Sequence, residues 1–288
     1  MERLYKPARV LELQNKYGFR FTKSLGQNFL IDGNIVRNIA DLAQINKEDY
    51  VLEIGPGIGT LSEEIALRCK KLVSIEIDES LKELLKESLP YDNVKVIFKD
   101  IMKLDLKQLV EEEFQNKAIK IVANLPYYIT TPIVSKLIES GIEIESMTFM
   151  IQKEVAKRFS AKPSTKDYGS LSVFIQFYSN VSYEFSVSKN SFIPKPNVDS
   201  AVVKLEMKEE IPEIDTEKFF KIVKAAFSKR RKTILNALST YGFNLEKTSI
   251  LKALNLSNID PRRRGETLTI DEFAVLTINF PSLGGDKD

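Results

Sequence analysis

The rhythm of apolar and polar positions changes twice along this chain. From about Asp49, short apolar runs alternate with amphipathic stretches. Residues 50–54, 72–76, 94–98, 119–123 and 146–151 read as strands; 61–69, 80–89 and 131–140 read as helices, with Pro132 tolerated in a first turn. Strands separated by helices predict βαβ units and a mostly parallel sheet. Residues 181–187 and 201–207 alternate and predict an antiparallel pair closing that sheet. Between them, Phe192-Ile-Pro194-Lys-Pro196 is stiff and non-helical. Residues 208–212 read as a linker, and only helical patterns follow to about Phe280. The expected architecture is α/β: an N-terminal segment with a first helix (1–48), a Rossmann-like core on a mostly parallel seven-stranded sheet (49–209), and a small α-helical domain (210–288), with a frayed tail at 284–288.

Composition narrows the chemistry more than the fold. The 288 residues are 43% hydrophobic and 28% charged, ordinary for a soluble globular protein. No apolar run is long enough to span a membrane. The first twenty residues carry Glu2 and Glu12 and lack an apolar core, so no signal peptide is expected. There is no histidine, which excludes Ser-His-Asp and Cys-His catalysis and His-ligated zinc. Cys69 is the only cysteine, so an intrachain disulfide and a cysteine metal cluster are both excluded. One thiol suits a reducing, cytoplasmic compartment, and no metal is expected. Net charge is only +2, but basic residues cluster: Lys229, Arg230, Arg231 and Lys232, then Arg262, Arg263 and Arg264, with a third basic stretch up to Arg37. Such clusters are a footprint for phosphates, with a solvated face as the alternative.

The strongest local pattern is Glu53-Ile-Gly55-Pro-Gly57-Ile-Gly59-Thr60, a glycine turn leaving the first core strand and opening a helix. The dinucleotide fingerprint would place its third glycine at position 60, which is Thr. Glu53 before the loop suits a ligand with a positive group, such as the amino group and sulfonium of S-adenosylmethionine. Glu76 ends the second strand about 20 residues later, where a carboxylate takes ribose hydroxyls. Asp100 follows the third strand and would meet an adenine amine. A nicotinamide cofactor is the alternative ligand; a structural acid is the alternative for Glu53, and a turn residue for Asp100.

The fourth strand ends in Asn124-Leu125-Pro126-Tyr127. An exocyclic adenine amine is a poor nucleophile because its lone pair is delocalised into the ring. The Asn124 side-chain oxygen and the Leu125 carbonyl form a neutral acceptor pair that would pyramidalise the nitrogen, so that attack needs orientation more than a strong base. Pro126 would stiffen the turn, Tyr127 would stack on the base, and Phe192 would close the other face; a core aromatic is the alternative for Phe192.

With these motifs in place, the chain resembles the KsgA-type small-subunit rRNA adenine N6-dimethyltransferases over roughly residues 20 to 265. The resemblance rests on seven ordered motifs: Lys23-Ser-Leu-Gly-Gln27-Asn28-Phe29-Leu30, Glu53-Ile-Gly-Pro-Gly57, Ser74-Ile-Glu76-Ile-Asp78, Lys99-Asp100-Ile, Asn124-Leu-Pro-Tyr127, Phe192-Ile-Pro-Lys-Pro196-Asn-Val-Asp-Ser and Phe227-Ser-Lys-Arg-Arg-Lys-Thr233. It implies a class I S-adenosylmethionine-dependent methyltransferase fold. It also implies that Asn28 and Leu30, with Gly55, Glu76, Asp100 and Asn124, form the methyl-donor pocket, and that Asn124, Leu125, Tyr127 and Phe192 receive the target adenine. The reaction implied is the transfer of four methyl groups to two adjacent adenosines in the hairpin near the 3′ end of small-subunit rRNA, late in subunit assembly. Family members often carry Asn after the Asn-Leu-Pro-Tyr motif, where this chain has Tyr128. The helical domain would grip rRNA phosphates, and a monomer is expected. An Erm-type large-subunit rRNA methyltransferase, which typically has Ile in place of Leu125, and a non-enzymatic RNA-binding assembly factor on the same fold are the competing readings.

Overall fold

The computed structural model describes residues 3–19 and 26–283. Arg20, Lys23, Ser24 and Leu25 of the N-terminal motifs and the tail 284–288 lie outside the described residues. The N-terminal part holds α1 (Pro7–Tyr17), β1 (Phe29–Leu30) and α2 (Gly33–Leu42). Asp32 starts α2 by accepting from the backbone N–H groups of Asn34 (2.9 Å) and Ile35 (3.4 Å). Alternation then sets in: β2 (Tyr50–Ile54), α3 (Thr60–Ala66), β3 (Lys71–Glu76), α4 (Lys82–Ser88), β4 (Val94–Phe98), α5 (Leu106–Phe114), β5 (Ile119–Asn124), α6 (Thr130–Glu139) and β6 (Ile144–Gln152). After α7 (Lys153–Phe159) and α8 (Ser170–Tyr178) come β7 (Ser179–Val187), β8 (Phe192–Ile193) and β9 (Ser200–Met207), then α9 (Thr216–Phe227), α10 (Ile234–Ser239), α11 (Lys247–Leu256) and α12 (Ile270–Asn279).

Seven strands form one sheet in the order β4-β3-β2-β5-β6-β9-β7. β4 through β6 are parallel, and β9 runs antiparallel to β6 with Gln152 opposite Ser200. The inner strands β2 and β5 are buried almost throughout, which is why both read as continuous apolar runs. The chain builds outward from β2 to β4 and returns to the other side of β2 as β5. That reversal opens a crevice at the carboxyl ends of β2 and β5, the ligand position of doubly wound sheets. The Gly55 loop and Asn124 are thereby brought to the same place. A second, two-stranded sheet pairs β1 with β8, Leu30 opposite Phe192; two residues per strand are too few to show a periodicity.

The chain divides into two compact units: residues up to Ala156 with Ser182–Met207, and Lys157–Val181 with everything from Lys208 onward. The second unit thus takes in 157–181, which the sequence groups with the core. Its helices share an apolar cluster of Val173, Phe177, Phe219, Ile222, Leu254 and Phe273, in which the Phe177 and Phe219 ring centroids lie 4.7 Å apart. Among the described residues no helix is long and apolar enough to cross a membrane.

Candidate active site

The crevice is a cleft of about 1050 Å³, counted out to its open mouth. Its lining includes Asn28, Leu30, Glu53, Gly55, Gly57, Glu76, Asp100, Asn124, Leu125, Pro126 and Tyr127, which gathers nearly every cofactor and catalytic residue expected from sequence. The glycine loop explains itself in backbone terms. Gly55, Gly57 and Gly59 have φ of +71°, +58° and +90°, and a Cβ on Gly57 would lie 2.8 Å from the Phe29 ring.

Glu76 is 4% exposed and held by three backbone donors: Ile77 and Asp78 to Oε1 at 2.8 Å, and Gly57 to Oε2 at 3.1 Å. Burial raises its pKa, and these N–H groups oppose the shift. Oε1 already accepts two hydrogen bonds, so the remaining acceptor capacity lies on Oε2, on a residue that lines the cleft. Glu53, 1% exposed, accepts from the Ser74 hydroxyl at 2.7 Å, and burial pushes its carboxyl up to about 7. Asp100 Oδ1 accepts from Met102 N at 2.9 Å and starts a turn, and the residue also lines the cleft. Thr60 Oγ1, buried in the cleft wall, has no hydrogen-bond partner among the described residues. Two buried acids, a backbone kept bare by glycines and an orphaned hydroxyl line a cleft that fits S-adenosylmethionine.

The catalytic turn follows β5. The Asn124 side-chain nitrogen donates to the Asn28 carbonyl at 3.0 Å, which leaves Oδ1 as its open end. The Leu125 N–H donates to Met150 O at 3.1 Å; among the described residues no hydrogen bond takes up the Leu125 carbonyl. The Tyr127 hydroxyl pairs with Ser200 Oγ at 2.6 Å, and burial raises its pKa. Phe192 stands apart. It is 3% exposed, packs with Leu30 and Val36 in the core and does not line the cleft, the environment of a core aromatic.

Several lining residues carry no role in the sequence reading. Gln27 Nε2 donates to Asp78 Oδ2 at 2.6 Å, joining the N-terminal segment to the end of β3. Ile77 is 47% exposed and Ile101 only 8%, and both offer apolar wall. An apolar residue directly after each of Glu76 and Asp100 was the available signal. Cys69 is buried in the core with its thiol pushed up to about 12, consistent with packing alone.

In the second unit, Lys229, Arg230, Arg231 and Lys232 are all exposed in the turn between α9 and α10. The arginine triplet is less free. Arg262 pairs with Asp260 at 2.9 Å, and Arg264 lies 3.9 Å from Glu266. Arg263 grips Glu272 with both terminal nitrogens and donates to the Thr267 carbonyl at 2.6 Å, bracing the capping box that starts α12. In the N-terminal stretch, Arg9 and Lys16 both pair with Glu87.

The seven-stranded sheet, the glycine loop at its switch point and the Asn-Leu-Pro-Tyr turn beside it define a Rossmann-like methyltransferase. Residues 18–275 match the ribosomal RNA adenine dimethylase family, and this chain belongs to that family. It is 50% identical to ribosomal RNA small subunit methyltransferase A of Alkaliphilus oremlandii, over 97% of this chain and 99% of that protein. It is also 50% identical to the protein of the same name from Listeria monocytogenes, over 95% of each. Among solved structures it is similar to a dimethyladenosine transferase from Plasmodium falciparum, with a TM-score of 0.74 and 27% identity over 87% of this chain and 96% of that one. The 23S rRNA methyltransferase ErmE follows with 0.69 and 26%, over 88% and 99%.

Proposed function

We propose that the chain N6-dimethylates two adjacent adenosines in the 3′-terminal hairpin of small-subunit rRNA, with S-adenosylmethionine as methyl donor, late in subunit assembly. Half the residues are shared with relatives named small subunit methyltransferase A, across nearly the whole chain; this favours the small subunit over the large. The donor, when bound, supplies an electrophilic methyl group on a sulfonium.

The chain's residues divide the remaining work. Glu76 takes the ribose hydroxyls, Asp100 the adenine amine and Glu53 the amino group, while Asn28, Leu30, Gly55 and Gly57 form the wall. Asn124 Oδ1 and the Leu125 carbonyl accept the two hydrogens of the target amine and aim its lone pair. After one transfer a single N–H remains, so the second uses one acceptor. Pro126 stiffens this turn, Tyr127 offers its ring to the base, and Phe192 supports the strand beneath Leu30. The single observation that supports this reading is the hydrogen bond from Asn124 Nδ2 to the Asn28 carbonyl, because it fixes by its nitrogen an amide that lines the cleft and leaves Oδ1 to accept.

The segment 1–48 contributes to donor and RNA contact, 49–209 carries the chemistry, and 210–288 grips RNA through Lys229, Arg230, Arg231 and Lys232, with Arg262 and Arg264 at its margin. The protein works as a cytoplasmic monomer without a metal. The test uses purified protein, tritiated S-adenosylmethionine and under-methylated small subunits, followed by nucleoside analysis. Dimethyladenosine in small-subunit RNA is the expected product; label confined to large-subunit RNA, or no label despite measured donor binding, overturns the reading.

A further inference from the structure

Tyr127 and Tyr128 are consecutive, yet their surroundings are opposite. The Tyr127 hydroxyl is tied to Ser200 at 2.6 Å. Tyr128 is 59% exposed, the one aromatic among the large exposed apolar side chains of the described residues, and it lies on the cleft lining. Its hydroxyl has no hydrogen-bond partner among the described residues. The ring is backed from one direction: a Cβ built on Gly26, which has φ of +63°, would lie 3.4 Å from Tyr128 Cδ1 and 3.6 Å from Cε1. Packing does not account for such a side chain, since it is mostly exposed and has no hydrogen-bond partner among the described residues.

We propose that Tyr128 is a stacking platform for the purine that flanks the target adenine. This rests on the reading that an adenine enters the cleft at Asn124. Extruding one base from its stack strips its neighbour of a partner. A backed aromatic ring at the mouth replaces the lost stack. It does so with little sequence preference, because every base presents a π-face. The anchored Tyr127 serves the base undergoing reaction, and the exposed Tyr128 serves the base waiting beside it. For a substrate with two adjacent adenines, the waiting base is itself the next target.

The test uses oligoribonucleotides carrying one target adenine with 2-aminopurine on its 5′ or its 3′ side, and protein saturated with S-adenosylhomocysteine. Stacking quenches 2-aminopurine. Wild type and Tyr128→Phe should quench one of the two probes, whereas Tyr128→Ala should not, and its Kd for that RNA should rise about tenfold. An abasic site at the flanking position should make wild type and Tyr128→Ala bind equally. Tyr128→Ala should keep the wild-type circular dichroism and Tm, which shows that the variant is folded. Equal quenching by wild type and Tyr128→Ala overturns the proposal. So does an absence of quenching by wild type on an RNA whose target adenine it still methylates with S-adenosylmethionine. Failure of wild type to methylate any adenine overturns the reading of the cleft, and this inference with it.

Discussion

The Asn124 side-chain nitrogen donates to the Asn28 carbonyl at 3.0 Å, across 96 residues of chain. Asn28 is itself placed by a 2.8 Å hydrogen bond from its own Nδ2 to the Gly26 carbonyl. An amide has one donor end and one acceptor end. With its nitrogen tied to Asn28, the amide is fixed before any substrate arrives, and on the proposed role of Oδ1 as acceptor little reorganisation is left for the moment of reaction.

Removing that acceptor should therefore act on turnover. Asn124→Ala is expected to lower kcat by about 10²-fold or more, by comparison with the loss of one preorganised polar group elsewhere. Single-turnover methylation measures it. Calorimetry with S-adenosylmethionine should show a much smaller change in Kd.

Glu76→Ala should show the reverse split. Glu76 is buried and is fixed by the backbone of Gly57, Ile77 and Asp78. Losing charge-assisted hydrogen bonds to the donor should weaken its binding by about tenfold or more. The rate at saturating donor should stay within a few fold, and a normal donor Kd would contradict the assignment.

Much of this site was legible in the sequence because it lies in short, contiguous stretches: a glycine loop that needs positive φ, an acid at a strand end, an Asn-Leu-Pro-Tyr turn. What escaped depends on pairings remote in sequence. Ser200 meets Tyr127 only because β9 returns antiparallel to β6 beside β5. Phe192 is buried because β8 pairs with β1, an element of two residues. Arg263 looks like one of three equivalent cations until Glu272, nine residues on, is seen to hold it. The helical reach of the second unit into 157–181 follows from the aromatic packing of α8, which no local pattern reveals.

The bond between Tyr127 and Ser200 makes a measurable claim about coupling. Ser200 is fully buried, and its hydroxyl meets the one on Tyr127 at 2.6 Å. If Ser200 acts by holding that ring, Ser200→Ala and Tyr127→Phe should each raise KM for RNA more than they lower kcat. The double variant should then be no worse than the poorer single one, with a coupling of about 1 kcal/mol. Additive effects would reduce Ser200 to packing.

Lys229, Arg230 and Arg231 are exposed together in one turn. Replacing all three with Ala should weaken RNA binding and flatten the plot of log Kd against log salt by about two to three units, one phosphate contact per cation. Titrations from low to high salt measure the slope. An unchanged slope would remove this turn from the RNA interface.

Glu53 links the cleft to stability. Its carboxyl ordinarily titrates near 4.5 and is pushed up to about 7 in the fold, chiefly by burial. Between those two values the native state keeps a proton that the unfolded chain releases. Unfolding free energy should therefore fall as pH rises through that window, by about 3 kcal/mol in all, and level off above it. Burial of Glu76 shifts that group in the same direction, so wild type alone does not isolate Glu53. Glu53→Gln keeps an acceptor for Ser74 but cannot ionise, and the difference between wild type and variant reports the Glu53 titration together with its coulombic coupling to Glu76. Urea unfolding at a series of pH values from 5 to 8 should show the variant gaining on wild type as pH rises. S-adenosylmethionine, whose amino group favours the ionised acid, should bind wild type more tightly above pH 7 than below it, and bind Glu53→Gln with a weaker dependence on pH.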